Sequence, residues 1–225
     1  MHISEGVLSA PVLLAGAGLA LAGLAAGFKA VRDEDTPKAA VMSAVFFTAS
    51  LIHVNLGPSS AHLILSGLIG LMMGLAAFPV IFFGLLLQGI LFGFGGITTL
   101  GVNTFTMAAP AALFGTLLRP AVNSRSAAAS SFAGFICGSL PVALSGLFAG
   151  LALYMSGEQG QYAAIAWAVV AGNLPVVAIE GTVCMFTVQF LRKVRPDLLR
   201  RPAFAAGGAD PAGAADPAPA LSPVE

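Results

Sequence analysis

The chain has 225 residues, of which 57% are hydrophobic and only 9% are charged, and its mean hydropathy is +0.92. Soluble domains carry roughly 25% charged residues, so this composition excludes an ordinary soluble protein and predicts an integral membrane protein in the lipid bilayer. Ten basic residues balance ten acidic ones, which leaves no basic surface for nucleic acid.

The N-terminal segment lacks the signature of a cleaved leader. A secretory leader carries Lys or Arg before its apolar stretch, whereas the first cation in this sequence is Lys29. We therefore expect the N-terminus to be retained, with Met1 and His2 at its start.

Seven apolar runs predict an all-α, polytopic bundle of about seven transmembrane helices. A helix needs roughly 17 to 25 residues to cross the hydrocarbon, so the third to fifth runs are short and the last two are long. The runs cover residues 7–30, 39–56, 62–78, 79–92, 104–118, 127–155 and 162–191.

The basic residues predict the orientation of the bundle. They lie between the first and second runs, between the fifth and sixth, and after the seventh. With seven crossings, an outer N-terminus and a cytoplasmic C-terminus, every Lys and Arg faces the cytoplasm, as the positive-inside rule requires in a plasma-membrane protein. Six crossings would scatter these residues to both sides. They are Lys29, Arg32, Lys38, Arg119, Arg125, Arg192, Lys193, Arg195, Arg200 and Arg201.

The chain divides into a predicted transmembrane domain, residues 1–201, and a tail, residues 202–225. The tail consists mainly of Ala, Pro, Gly and Asp. It has too few large apolar residues to offset the entropy lost on ordering, so we expect it to be disordered in the cytoplasm.

The first two residues can supply several nitrogens to one metal ion. The α-amine of Met1, the backbone nitrogen of His2 and the imidazole Nδ1 of His2 close two adjoining chelate rings. Such a nitrogen set suits the tetragonal geometry of Cu(II), Ni(II) or Co(II) rather than the oxygen coordination that Mg²⁺ and Ca²⁺ prefer. A further nitrogen would complete a plane around the metal.

His2, His53 and His62 are the histidines of this sequence, and the expected topology places all three at the outer face. His62 is the stronger candidate ligand, because Gly57 and Pro58 can fix a turn that puts it at the start of the third helix. His53 either orients the site or faces the aqueous loop. The plainer alternative is that histidines near helix ends are solvated surface groups.

Three segments carry a resemblance to a known family: MHISEGVLSAPV, LIHVNLGPSSAHLILSGLIGLMMG and LLLQGILFGFGGITTLGVNTFTMA. On these motifs the chain resembles the CbiM/NikM family, the membrane substrate-capture components of energy-coupling-factor importers for cobalt and nickel. The likeness runs from residue 1 to about residue 202. It implies a planar nitrogen site with Met1, His2 and His62 as metal ligands. Ser4 stands where Pro is common in the family, a difference that leaves the chelate intact.

The resemblance also implies supporting residues and partners. Gln88 and Asn103 match polar positions around the glycine-rich outer loop of the family, and they either support the metal site or make structural hydrogen bonds. The implied partners are a coupling transmembrane subunit, ATPase subunits and a small accessory membrane subunit. Co²⁺ or Ni²⁺ is then a transported substrate rather than a cofactor, with cobalt favoured by the resemblance alone.

The sequence predicts no enzymatic activity for this chain. The loop GFGGITTLG lacks the GK[ST] ending that a phosphate-binding loop needs. We therefore expect no catalytic residues here, and we expect ATP hydrolysis to take place on partner subunits.

Glu180 lies inside the seventh apolar run, where an ionisable group is costly and is commonly functional. It is either a functional carboxylate or a buried, hydrogen-bonded structural group. If Glu180 and the histidines lined a continuous path, the protein would be a stand-alone proton-coupled divalent metal transporter, which is the alternative function. A third possibility, a non-transporting structural subunit, leaves the N-terminal chelate without a purpose.

Overall fold

The computed structural model describes residues 3–56, 59–157 and 162–200, with the backbone alone for residues 53–56, 59–62 and 200. Met1, His2 and the predicted tail of residues 202–225 lie outside the described residues. The fold is a bundle of helices with one β-hairpin. Its elements are α1 (Ala10–Ala30), α2 (Thr36–Ala49), β1 (His53–Leu56), β2 (Ser59–His62), α3 (Ser66–Met73), α4 (Ala77–Phe92), α5 (Leu100–Val122), α6 (Ala127–Ser156), α7 (Ala163–Gly172), α8 (Leu174–Val194) and α9 (Asp197–Arg200).

Five helical stretches of the described chain are long and apolar enough to cross a membrane. Two of them are composite: Ser66–Phe92 contains α3 and α4, and Ala163–Val194 contains α7 and α8. Helix α2 has 14 residues, fewer than the ~20 that span the hydrocarbon. The prediction of a helical membrane bundle is confirmed. The bundle differs from the predicted set of seven long helices because α2 is short and because α3 and α4 form one continuous apolar stretch.

The chain reverses direction between α3 and α4. Gly74 ends α3 with φ 55° and ψ −127°, a conformation that glycine adopts without steric cost. Helix α3 runs in the same direction as α5, because Gly70 lies against Ala111 and Gly74 lies near Arg119. Helix α4 starts beside the C-terminal end of α5 and runs back to the loop that precedes α5.

Close contacts also fix the directions of α1 and α2. Gly16 lies against Val102 near the start of α5. Gly27 lies against Leu75, in the turn between α3 and α4 that lies near the end of α5. Helix α1 is therefore parallel to α5. At the start of α2, Lys38 Nζ donates to the carbonyl of Met72 at 3.4 Å. At its end, Phe47 stacks on Phe92 with ring centroids 5.7 Å apart. Helix α2 therefore runs with α4.

Helix α6 returns along α5 and pairs with α8 in the opposite direction. Gly134 lies against Val188, and Gly146 lies against Asn173 between α7 and α8. Helices α1, α3, α5 and α8 thus run one way, while α2, α4 and α6 run the other way. Every Lys and Arg of the described residues lies at or near the same end of the bundle, which we call the basic end.

The hairpin corrects one expectation from the sequence. His62 was expected at the start of a helix, and residues 53–56 were expected within the second apolar run. Instead β1 pairs with β2 in antiparallel fashion, with His53 as the Cα partner of His62, and α3 begins at Ser66. The residues flanking the turn pair their own N–H and C=O groups, which satisfies these polar groups without a helix.

Helix α3 lies in the centre of the bundle. All eight of its residues are buried, within a core that α4, α5, α6 and α8 share. A helix with apolar side chains on every face is stable where other helices surround it. The hairpin is therefore joined directly to an element that packs tightly at the centre of the molecule.

Candidate functional site

Asn103 of α5 holds the N-terminal segment. Its Oδ1 accepts a hydrogen bond from the Ile3 N–H at 3.0 Å, and its Nδ2 donates to the Ile3 carbonyl at 3.1 Å. Ile3 and Asn103 are both buried, and Nδ2 also donates to Thr99 Oγ1 at 3.3 Å. One side chain thereby pairs both backbone groups of Ile3, as a neighbouring strand would. The residue that follows His2 is fixed in place.

The glycine-rich loop before α5 provides a second contact for this segment. Glu5 Oε1 accepts a hydrogen bond from the Thr98 N–H at 3.1 Å. The Glu5 side chain also covers Gly96 so closely that a Cβ there would overlap it. Gly96 has φ +119°, so its backbone conformation also disfavours any other residue. The loop forms a seat for the N-terminal segment.

Glu180 of α8 holds the segment that follows His62. The Ile64 N–H donates to Glu180 Oε1, and the Leu65 N–H donates to both carboxylate oxygens at 2.9 Å. The Glu180 side chain is fully buried. Because α3 starts at Ser66, the carboxylate accepts hydrogen bonds from N–H groups just before the helix, where negative charge is favoured.

Gln88 on α4 is fully buried, and neither of its amide atoms has a hydrogen-bond partner in the described part of the chain. Ser66 Oγ at the start of α3 and Thr104 Oγ1 beside Asn103 are in the same condition. Native proteins leave few buried polar groups unpaired, and such groups commonly contact water or a ligand. All three lie in the half of the bundle opposite the basic end.

The structure brings most of the candidate residues to one end. Asn103, Gln88 and the hairpin with His53 and His62 lie opposite the basic end, and Glu180 lies beneath the hairpin. The ligand set of Met1, His2 and His62 remains a prediction. Within the residues described, no group of three or more His, Cys, Asp or Glu side chains is placed to hold a metal ion.

Sequence reasoning missed two features of this end. The first is Glu5, whose signal was a single acidic residue in the segment before α1. The second is the turn at Leu65. Its φ is 56°, and among the described residues no other non-glycine residue has a positive φ. A run of apolar residues gave no signal for that turn, because its partner is Glu180 on a distant helix.

These observations define a polytopic membrane protein whose two chain segments near the candidate ligands are hydrogen-bonded to buried side chains. Residues 2–198 match the family model described as the cobalt uptake substrate-specific transmembrane region, CbiM. The match covers most of the chain, and the chain therefore belongs to the CbiM family of membrane transport proteins.

Relatives and solved structures agree with this assignment. A putative metal transport protein of Haemophilus influenzae is 38% identical over 202 residues, which are 89% of this chain and 98% of that protein. A putative fused cobalt transport protein CbiMQ of Methanocorpusculum labreanum is 31% identical over 225 residues, and the match covers 88% of this chain and 36% of that protein. The crystal structure of a transition metal transporter superposes with a TM-score of 0.67 at 22% identity, covering 89% of this chain and 96% of the other, which shows a shared fold.

Proposed function

We propose that this chain is the substrate-capture component of an energy-coupling-factor importer, which binds Co²⁺ or Ni²⁺ at the outer face and delivers it inward with ATPase partners. The observation that carries the proposal is the fixation of the chain beside each predicted ligand. Asn103 holds Ile3, the residue after His2, and Glu180 holds Ile64, two residues after His62. Anchoring of this kind sets ligand geometry and so contributes to metal affinity.

The proposed ligands are the Met1 amine, the backbone nitrogen and imidazole of His2, and the imidazole of His62. A planar nitrogen set of this type accepts both cobalt and nickel, and the description of the matching family favours cobalt. Gln88 and His53 are proposed to support the site rather than to complete it. Because the nitrogens must lose protons to bind, affinity is expected to fall as the pH falls.

The proposed topology has seven crossings in the plasma membrane, with the N-terminus outside and the C-terminus in the cytoplasm. The alternating helix directions support it, because α2, α3 and α4 run in turn away from, toward and away from the basic end. The position of the basic residues at one end supports the orientation. In this arrangement the candidate site faces outward, where the metal arrives.

The proposed partners are a coupling transmembrane subunit, ATPase subunits and a small accessory membrane subunit. The fused CbiMQ relative supports the first of these, because the match to this chain covers only 36% of its length. ATP hydrolysis is assigned to partners, and this chain is proposed to capture metal without catalysing a reaction.

The stand-alone proton-coupled transporter is less well supported. That function requires Glu180 to line a path, whereas both of its carboxylate oxygens accept backbone hydrogen bonds from the segment before α3. Metal uptake by cells that express the chain with and without ATPase partners separates the two functions. Uptake that needs no partner would favour the stand-alone transporter.

The proposed ligand set is tested with three forms of the full chain. They are the native form, a form with several residues added before Met1, and His62→Ala. The extension must exceed one residue, because a single added residue places histidine third and creates a new nitrogen chelate. We expect the extension and His62→Ala each to lower Ni²⁺ affinity at least about 100-fold, consistent with loss of a ligand rather than of a supporting group.

A cleavable extension provides the matched control. Proteolytic removal that restores Met1 as the first residue should restore Ni²⁺ binding without refolding. Unchanged Ni²⁺ and Co²⁺ affinity in the extended form would show that the amine is not a ligand. Thermal melting of each form separates the loss of a ligand from the loss of the fold.

A further inference from the structure

We propose that Glu180 is a positioning residue for the metal site, because its carboxylate fixes the backbone that follows His62 and so sets where His62 lies. The inference rests on the proposed function and adds to it a residue that is far from the ligand motifs in sequence. Glu180 is 116 positions from Ile64, and it belongs to a different helix of the bundle.

The hydrogen-bond acceptors of Glu180 match the donors of the segment that it contacts. An ionised carboxylate only accepts hydrogen bonds, and the Ile64 and Leu65 N–H groups both donate to Glu180. The carboxylate has 0% exposure and Ile64 has 1%. In a membrane bundle neither an isolated carboxylate nor a bare N–H group is tolerated cheaply. Each side of the contact therefore stabilises the other.

Backbone contacts hold the chain at His62 and directly after it. On its C-terminal side the Leu63 N–H donates to the Ile52 carbonyl at 3.4 Å, and the next residue, Ile64, donates to Glu180. On the hairpin, the register makes His53 its Cα partner. Few residues separate the anchors, so little freedom is left for the backbone at His62.

The turn at Leu65 explains why an anchor is needed there. Its φ of 56° is in the left-handed region, which is unfavourable for a residue with a Cβ. Such a conformation persists when the surrounding contacts hold it. The two bonds from the Leu65 N–H to Glu180 are placed to hold it, and they direct the chain from β2 into α3.

The anchor is mounted on rigid elements. Helix α8 packs closely on α6, since Gly138 lies against the Glu180 backbone. At the far end of α3, Arg119 donates to the Leu71 carbonyl through Nε at 3.2 Å and through Nη2 at 2.7 Å. Side chains from other helices therefore hold the segment before α3 and the last turn of α3, and the segment after His62 cannot move independently.

The test uses the full chain, Ni²⁺ as the probe, and the variants Glu180→Ala and Glu180→Gln. Ser139→Ala is the matched control, because Ser139 joins α6 to α8 through a bond to the Val177 carbonyl at 3.0 Å. Removing a supporting residue of a metal site typically lowers affinity about 10–100-fold, and we expect this loss for Glu180→Ala. Gln keeps an oxygen that can accept from Ile64 and Leu65, so Glu180→Gln should lose less, and Ser139→Ala should bind like the native protein.

Two further readouts distinguish positioning from a general effect on the fold. The visible spectrum of Ni²⁺ bound to Glu180→Ala should shift toward that of His62→Ala, because a displaced His62 coordinates the metal less well. In addition, the double variant His62→Ala with Glu180→Ala should bind no more weakly than His62→Ala alone, since Glu180 acts through His62. Additive losses of affinity would overturn the inference.

If Glu180→Ala fails to fold, Glu180→Gln carries the test. Native affinity and a native spectrum in folded Glu180→Gln would then overturn the inference, whereas weaker binding with a shifted spectrum would support it. The proposed function fails separately: the native chain would bind no Ni²⁺, or His62→Ala would bind normally. If His62→Ala loses Ni²⁺ and the Glu180 variants do not, only the positioning role is wrong.

Discussion

The two segments beside the predicted ligands are held by different chemistry. The N-terminal segment is held by the neutral amide of Asn103, which both accepts from and donates to Ile3. The segment after the hairpin is held by the carboxylate of Glu180, which accepts from Ile64 and Leu65. The side chain in each case matches the backbone groups it meets: an amide pairs an N–H with a C=O, and a carboxylate pairs with N–H groups alone.

The two anchors also differ in how much other support surrounds them. The N-terminal segment has a second contact, from Glu5 to the Thr98 N–H, and Ile3 is buried. The second segment is tied to the hairpin on one side and to α3 on the other. The N-terminal segment is therefore held by side-chain contacts and by the burial of Ile3 against α5, α6 and α7, whereas the second segment is continuous with the central helix α3. Variants of the first anchor should change metal binding more than stability.

The largest effect that breaks this comparison is expected for Asn103→Leu. Leucine fills a similar volume but leaves the N–H and C=O of Ile3 unpaired, at a cost of about 1–3 kcal/mol for each buried group. We expect the segment to detach and Ni²⁺ affinity to fall about 10–100-fold, with little change in the melting temperature of the bundle. Isothermal titration and thermal melting on the same preparation measure both quantities.

Asn103→Gln is the matched control for that variant. Glutamine keeps both the acceptor and the donor that pair with Ile3 but adds a methylene at a buried position, so its loss of affinity should be intermediate. If Asn103→Leu binds Ni²⁺ like the native chain, then Glu5 and the burial of Ile3 hold the segment without Asn103. The first half of the comparison would then be wrong.

A smaller effect, of about tenfold on affinity, is expected for Gly96→Ala, consistent with the lower end of the range for supporting residues. A Cβ at Gly96 would overlap the Glu5 side chain, whereas Gly93 has open space around it, with φ +67°. Gly93→Ala therefore measures the cost of a Cβ at a left-handed position of the same loop, without a contact to Glu5. If contact with Glu5 causes the loss, Glu5→Ala should restore part of the affinity of Gly96→Ala. No recovery would place the cause in the backbone of Gly96.

Composition and patterning predicted the bundle, its basic end and most helix positions. They did so because lipid burial and the positive-inside rule act on local stretches of sequence. They failed at the start of α3, where His62 belongs to a strand and the helix begins later. That boundary depends on a hydrogen bond from Leu65 to a residue 115 positions away, and no local pattern encodes such a contact.

The same limit applies to the candidate site. Asn103 was indicated by the resemblance to the CbiM/NikM family, but its partner Ile3 lies 100 positions away. The sequence predicted a reversal between the third and fourth apolar runs, at residues 78–79, but the chain turns at Gly74, because a glycine four residues after Gly70 equally fits the close packing of a continuous helix. Its positive φ shows which alternative the fold adopts.

The smallest effect is expected at His53, and it sharpens the comparison most. The hairpin register makes His53 and His62 partners, so pairing alone does not distinguish the two as ligands. The anchors distinguish them, because His62 is close to the segment that Glu180 holds, whereas His53 follows the end of α2.

His53→Thr keeps a residue suited to a strand and removes a cross-strand pair worth about 0.2–1 kcal/mol. Ni²⁺ affinity should therefore fall by no more than about fivefold, with an unchanged visible spectrum. A loss as large as that of His62→Ala would mean that the hairpin supplies two ligands, and the anchor at Glu180 would then position a pair of histidines rather than one.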